Sequence, residues 1–117
     1  MTENEVENIA KSYGLTIKSS SMEFDAYFPE NDKFWDNITY TVPNKLFFVR
    51  TFCGCEPTIT VYNTLIRTKN GYTINRQKTY PLPVYTPKRL HNLIKRIQKQ
   101  IKVELIAKRL ERIKKDF

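Results

Sequence analysis

Three prolines in seven residues, Pro81, Pro83 and Pro87, divide this chain into two parts that obey different hydrophobic periods. Proline lacks the backbone donor that a central strand or a helix interior needs, so Tyr80–Pro87 reads as a stiff connector. Before it, most of the chain alternates with a period of two; after it, apolar residues recur with the period of an α-helix. Strands followed by a helix, in a chain of 117 residues, make one domain large enough to close a core without metals or disulfides. A hydrophobic content of 40% with fifteen aromatic residues supplies that core.

The first part opens with a short helix. Thr2 and Glu5 have capping-box spacing, Val6, Ile9, Ala10 and Tyr13 fall on one face, and Gly14 stands where a left-handed residue ends a helix. The spacing predicts a helix over 3–13. Leu15 and Ile17, then Met22, Phe24, Ala26 and Phe28, alternate with polar residues as in strands with one buried face. Pro29–Asp36 reads as a loop pinned by Phe34 and Trp35, and Ile38, Tyr40 and Val42 as a further alternating strand. Leu46–Phe52 is apolar at nearly every position, the pattern of a central strand covered on both faces. Thr58–Lys69 and Tyr72–Tyr80 flank Asn70-Gly71, a strong hairpin signal. The expected fold is α+β: an antiparallel sheet of four to five strands, a short N-terminal helix and a long basic C-terminal helix.

That C-terminal helix starts well, with Thr86 as N-cap and Pro87 in the first turn. Leu90, Leu93, Ile94, Ile97, Ile101 and Leu105 form the stripe that docks on the sheet. From Glu104 the pattern reverses: Val103, Ile106, Leu110, Ile113 and Phe117 lie about 180° from the first stripe. A straight helix over 87–115 is about 43 Å long, more than a domain of this size usually spans. The expectation is a break or a protrusion near 102–104, with the second stripe buried on a partner or in a homodimer through 103–117.

Charge follows the same division. Residues 87–117 hold eleven Lys or Arg against three acids, whereas residues 1–86 hold nine of each sign. The body is neutral and the tail carries the whole +8. Lys88, Lys95, Lys99 and Lys102 share one helix face with His91, flanked by Arg96, and no acid interrupts that face before Glu104. An ordinary solvated helix mixes signs, so an unmixed face points to a polyanion, nucleic acid first and an acidic protein surface second. The hairpin adds a second basic feature. A two-residue turn at Asn70-Gly71 pairs Lys69 with Tyr72 and Arg67 with Ile74, and puts Arg67, Lys69, Arg76 and Lys78 on one face with Tyr72 and Tyr80. Cations interleaved with aromatics suit phosphate contact and base stacking. With neither face strongly apolar, the hairpin is expected to project from the core; the alternative is an edge hairpin kept soluble by its charges.

Motifs for chemistry are few. Cys53-Gly54-Cys55 has the wrong spacing for a redox pair, and one histidine leaves too few ligands for structural zinc. There is no glycine-rich phosphate loop, no nucleophile elbow and no acid followed two positions later by lysine. No cofactor and no metal are expected. A small metal-free ribonuclease using Tyr, Lys, Arg and His91 is an alternative that needs no such motif. In outline, the order helix, antiparallel strands, helix is similar to double-stranded-RNA-binding folds. Those have three strands where five are expected here, and their helix-start residues are absent.

No apolar run reaches the length of a membrane span, and the acidic start MTENEVEN does not read as a secretory signal or a basic transit peptide. A cytoplasmic setting is expected. Thirteen Lys, eleven Ile and nine Asn against three Ala and three Gly point to an AT-rich genome, bacterial or that of a phage or mobile element. The sequence therefore favours a non-catalytic nucleic-acid-binding accessory protein. The alternative is a protein-binding module, such as an inhibitor of a nucleic-acid-handling enzyme or a virion component.

Overall fold

A computed structural model describes residues 2–21, 23–30, 33–51, 57–62, 64–74, 79–82 and 86–115, with backbone only for 79–82 and 112–115. The fold is α+β. Helix α1 (Glu3–Ser12) is followed by strands β1 (Thr16–Ser19), β2 (Glu23–Tyr27), β3 (Lys45–Arg50), β4 (Thr58–Tyr62), β5 (Leu65–Thr68), β6 (Gly71–Ile74) and β7 (Thr79–Leu82), and then by helix α2 (Pro87–Lys115). Five strands form an antiparallel sheet in the order β1-β2-β3-β4-β7, and β5-β6 make a separate two-stranded sheet.

Local rules account for both ends of α1 and for the start of α2. The Thr2 hydroxyl accepts from the Glu5 amide at 3.3 Å, and Gly14 turns the chain out of α1 with φ of +76°. The Thr86 hydroxyl accepts from the Arg89 amide at 3.3 Å and starts α2. In the sheet, Phe24 and Ala26 of β2, Phe47 and Val49 of β3, and Ile59 and Val61 of β4 turn inward to meet Val6 and Ala10 of α1 and Leu90, Ile94 and Ile97 of α2. A bulge between Ala26 and Tyr27 leaves Leu46 opposite no residue of β2. Leu46 and Phe47 are consequently both buried, so the apolar run of β3 reflects this bulge and not the expected cover on both faces: β3 is central, but Phe48 on its outer face is only half-buried and Arg50 is exposed.

Two expectations for the middle of the chain are corrected. Ile38, Tyr40 and Val42 do not form a strand. Asp36 turns the chain there, its carboxylate accepting from the Thr39 amide at 2.9 Å, and Ile38 is left 83% exposed. The two long runs around Asn70-Gly71 each divide in two. Their base, β4 with β7, pairs Tyr62 with Thr79, which continues the register expected from an Asn70-Gly71 turn. β7 runs on to Leu82, so Tyr80–Leu82 is not the connector expected there but an edge strand, where Pro81 is tolerated. Their tip has slid by two residues: Thr68 faces Gly71, Arg67 faces Tyr72 and Leu65 faces Ile74. A type I′ turn needs positive φ at its first central residue, and among the described residues only glycines have it. The turn therefore falls on Lys69-Asn70, and Gly71 enters the strand with φ of +142°.

The tip is fixed from outside as well. The Tyr72 amide donates to Phe34 O at 3.0 Å, the Asp36 amide to Tyr72 O at 2.8 Å, and the Ile74 amide to Pro43 O at 2.9 Å. A Cβ on residue 71 would stand 2.7 Å from Phe34 O, so this approach requires glycine. Rather than projecting, β6 is covered on both faces, with Tyr72, Thr73 and Ile74 all buried.

Nor does α2 break at 102–104. It runs unbroken to Lys115, and the molecule measures 61 × 27 × 21 Å. The hairpin tip and the loop at 33–36 lengthen the platform beneath it. Tyr72 Oη donates to Glu104 Oε2 at 2.7 Å, Lys108 Nζ to Lys33 O at 2.6 Å, and Arg67 stands 4.0 Å from Glu111. The first stripe continues over this extension through the partly buried Ile101 and Leu105. Of the second stripe, Val103, Ile106 and Leu110 are more than half exposed on the outer side.

Candidate nucleic-acid interface

Docking through Leu90, Ile94 and Ile97 fixes the rotation of α2, and with it what the helix shows to solvent. Lys88, Arg89, Lys95, Arg96, Lys99 and Lys102 are all exposed. None of them makes an ion pair among the described residues. The helix's two described acids are occupied elsewhere, Glu104 by the Tyr72 hydroxyl and Glu111 beside Arg67. Acids therefore face the hairpin and cations face water. Helical rotation alone produces this sorting, because Glu104 and Glu111 are one heptad apart on the flank next to the docking stripe.

Arg89 was not singled out in the sequence reading, yet it stands with Arg96 across a shallow depression of about 330 Å³ that Asn92 and Leu93 also line. Two guanidinium groups at i and i+7 around a recess are suited to a phosphate, which guanidinium binds in a fork. The spacing is visible in the sequence; the recess is not.

Other expected site residues fall in different places. His91 leaves the basic face. It is half-buried between the helices, sharing a 2.6 Å hydrogen bond from its Nδ1 with the Tyr13 hydroxyl, and the two rings meet edge-on at 5.4 Å. Tyr72 is not open to a base. It stacks on Phe34 at 4.6 Å and 9°, 5% exposed, and burial followed by the Glu104 hydrogen bond pushes its hydroxyl pKa upward. Arg67 and Lys69 are exposed at the hairpin tip, but Arg67 has Glu111 for a neighbour. Arg76 and Lys78 lie outside the described residues, as do the side chains of Tyr80 and Ile113, the whole of Phe117, and Cys53 and Cys55. The structure thus brings the α2 cations together and does not join Tyr72 or His91 to them.

A second surface went unnoticed in the sequence. On the outer face of the sheet Lys18 lies 4.9 Å from the Tyr27 ring, and Lys45 and Arg50 lie 5.0 and 4.9 Å from the Phe48 ring. Arg50 shares the face of Phe48 by strand alternation, whereas Lys45 reaches it only through the β2–β3 bulge, which no local pattern reveals. Acids stand among these cations: Asp25 is 3.1 Å from Lys45, and Glu23 is 3.7 Å from Arg50. Cross-strand pairs of this kind stabilise a sheet face and leave little net charge for a polyanion.

Among the described residues the most enclosed charged group lies in the loop at 33–36, against the hairpin tip. Asp36 has no exposed surface; its carboxylate accepts from the Thr68 hydroxyl at 2.6 Å and the Thr39 amide at 2.9 Å. Burial works to raise its pKa, but the hydrogen bonds from Thr68, Thr39 and Ile38 outweigh burial and hold it below the ordinary aspartate value. It is a structural tie, since its neighbours are threonine hydroxyls and amides and not a second titrating group. Among the described residues no group of three or more His, Cys, Asp or Glu is placed to hold a metal ion, and no helix is long and apolar enough to cross a membrane. Compared with family models, curated proteins and solved structures, the chain matches none.

Proposed function

We propose that this chain is a non-catalytic nucleic-acid-binding accessory protein that grips phosphate through the first four turns of α2. The observation that carries the reading is the row of six exposed cations from Lys88 to Lys102 with no acid partner among the described residues. A rigid, single-sign row held on a neutral body attracts a polyanion and fixes its direction, while reading little of its sequence. Arg89 and Arg96 would fork a phosphate in their shared recess, and Lys95, Lys99 and Lys102 would follow the backbone along the helix. Lys69, and Arg67 once drawn from Glu111, would extend the contact to the hairpin. The AT-rich residue usage fits a phage or mobile element and its host's cytoplasm.

The test is a salt titration of binding to single-stranded and duplex DNA and RNA, followed by fluorescence anisotropy. Neutralising about five phosphates gives a slope of log K against log salt near −4 to −5. Lys95→Glu with Lys99→Glu is expected to weaken binding by more than about tenfold without lowering the melting temperature. No binding to any nucleic acid at about 50 mM salt would transfer the basic row to the acidic-protein reading.

A further inference from the structure

Outward from the docking stripe, α2 changes character once along its length. The strip that holds Lys95, Arg96 and Lys99 continues, turn after turn, into Val103, Ile106 and Leu110, which are 54%, 57% and 54% exposed. These three account for most of the large exposed apolar side chains among the described residues, the others being Ile38 and Tyr40. Nothing in the described part of the chain covers them. On the inner side Ile101 and Leu105 pack on the core, and Glu104, Lys108 and Glu111 reach the hairpin and the loop before it.

We infer that this apolar strip is the seam of an antiparallel pair formed with a second copy of the chain. The spacing identifies a helix as the mate. Val103, Ile106 and Leu110 are three and then four residues apart, and the sequence keeps that rhythm with Ile113 and Phe117, the knob positions of a two-helix seam. A strand or a loop has no use for this period. The only other helix described, α1, spends its apolar residues Val6 and Ala10 in the core, so the mate comes from another molecule. A second copy offers the same three exposed knobs without further assumption.

Charge selects the direction. Continued backwards, the seam positions are Lys99 and Arg96, so a parallel mate would set each of these cations against its own counterpart. An antiparallel mate moves the two basic rows to opposite ends, with Lys95 about 39 Å from Lys95 of the second copy at 1.5 Å per residue. The register that uses all three exposed residues seats Ile106 against Leu110 of the second copy, twice over by symmetry. Its two-fold axis passes level with residue 108, so the two copies of Ala107 lie beside each other on one flank of the seam, where a small side chain lets the helices approach, and the two copies of Arg109 on the other. Each body lies on the far side of its own helix and stays clear of the seam.

Sedimentation equilibrium on the full chain is expected to give a dimer at about 100 µM, and Ile106→Asp with Leu110→Asp a monomer of unchanged helix content and melting temperature. In a background with Cys53 and Cys55 replaced by serine, Ala107→Cys is expected to cross-link readily under oxidation and Val103→Cys is not, since only the antiparallel seam brings residue 107 to itself. A monomeric wild type, a dimer that survives the double change, or cross-linking through residue 103 and not 107 would each overturn the inference. Lys95→Glu with Lys99→Glu leaves the mass at that of the dimer, so this result is separate from nucleic-acid binding.

Discussion

Between Leu90 and Ile97, α2 rests on the sheet through Leu90, Ile94 and Ile97, none of which keeps any exposed surface. Between Ile101 and Glu111 the same helix lies along the hairpin through half-buried Ile101 and Leu105 and three polar contacts, at 2.7, 2.6 and 4.0 Å. The proximal half is anchored mainly by apolar burial, with His91 and Gln98 each hydrogen-bonded to Tyr13 beside it. The distal half depends on a platform that is itself assembled from hydrogen bonds: Tyr72 to Phe34, Asp36 to Thr68 and Thr39, Ile74 to Pro43. One helix therefore combines a rigid root with a conditional end. The division matches its outer surface, where the basic row sits over the root and the apolar strip over the conditional end.

The comparison is tested most forcefully at the root. Ile97→Ala removes a fully buried side chain from between helix and sheet and is expected to cost about 2–5 kcal/mol, on the order of 10 °C in melting temperature. Leu105→Ala, at a half-buried position of the same stripe, is expected to cost about half as much. Equal losses, read by thermal denaturation, would mean that both halves are anchored alike and would end the distinction.

Acid should separate the halves next. Asp36 has a folded pKa held below its ordinary value, so its contribution is fully present above about pH 4 and is lost as the pH falls through the lower, folded value. Protonation weakens the acceptor that Thr68 and Thr39 bond to, and so loosens the hairpin tip beneath the distal helix. Hydrogen exchange measured between pH 2.5 and 5 is expected to show amides of 101–111 losing protection before those of 90–98. Asp36→Asn should flatten that pH dependence. Loss of protection in both segments together would show that the root shares the tie.

How much of this was legible in advance follows from the range of the interactions. The caps at Thr2 and Thr86, the alternation in β2 and the docking stripe of α2 are local patterns in which burial repeats with the geometry of the element. They were read correctly because each is decided within a few residues. The strand expected at Ile38–Val42 failed because Asp36 turns the chain there, and its other partner, Thr68, is 32 residues away. His91 was placed with the lysines because its helical angle is compatible with both settings; only Tyr13, 78 residues distant, decides for the interior. Tyr72 has the alternation of an exposed platform residue, and its burial depends on Phe34 and Glu104. Even the turn slid, since the pairing at the tip answers to Phe34 and Pro43 as well as to Asn70-Gly71. The basic row was visible because charge at helical spacing needs only a docked opposite face to reach solvent.

The smallest effect is expected at Arg67, and it sharpens the comparison from the polar side. Its contact with Glu111 is 4.0 Å long, with both side chains more than half exposed, so solvent screens it and two long side chains must be ordered to keep it. Arg67→Ala should change stability by less than about 0.5 kcal/mol. A larger loss would mean that the distal half is held by its ion pair as much as by Tyr72 and Lys108. Binding gives the same variant a second readout. Arg67 faces the end of α2 where the basic row stops, so a nucleic acid following that row past Lys102 would meet it. Weaker binding with an unmoved melting temperature would bring the hairpin into the interface, with Glu111 as a competitor that the phosphate displaces. Unchanged binding would confine the contact to the root, where Leu90, Ile94 and Ile97 hold the cations steady, and would leave Arg67 as an ordinary solvated charge on the flank of a β-hairpin.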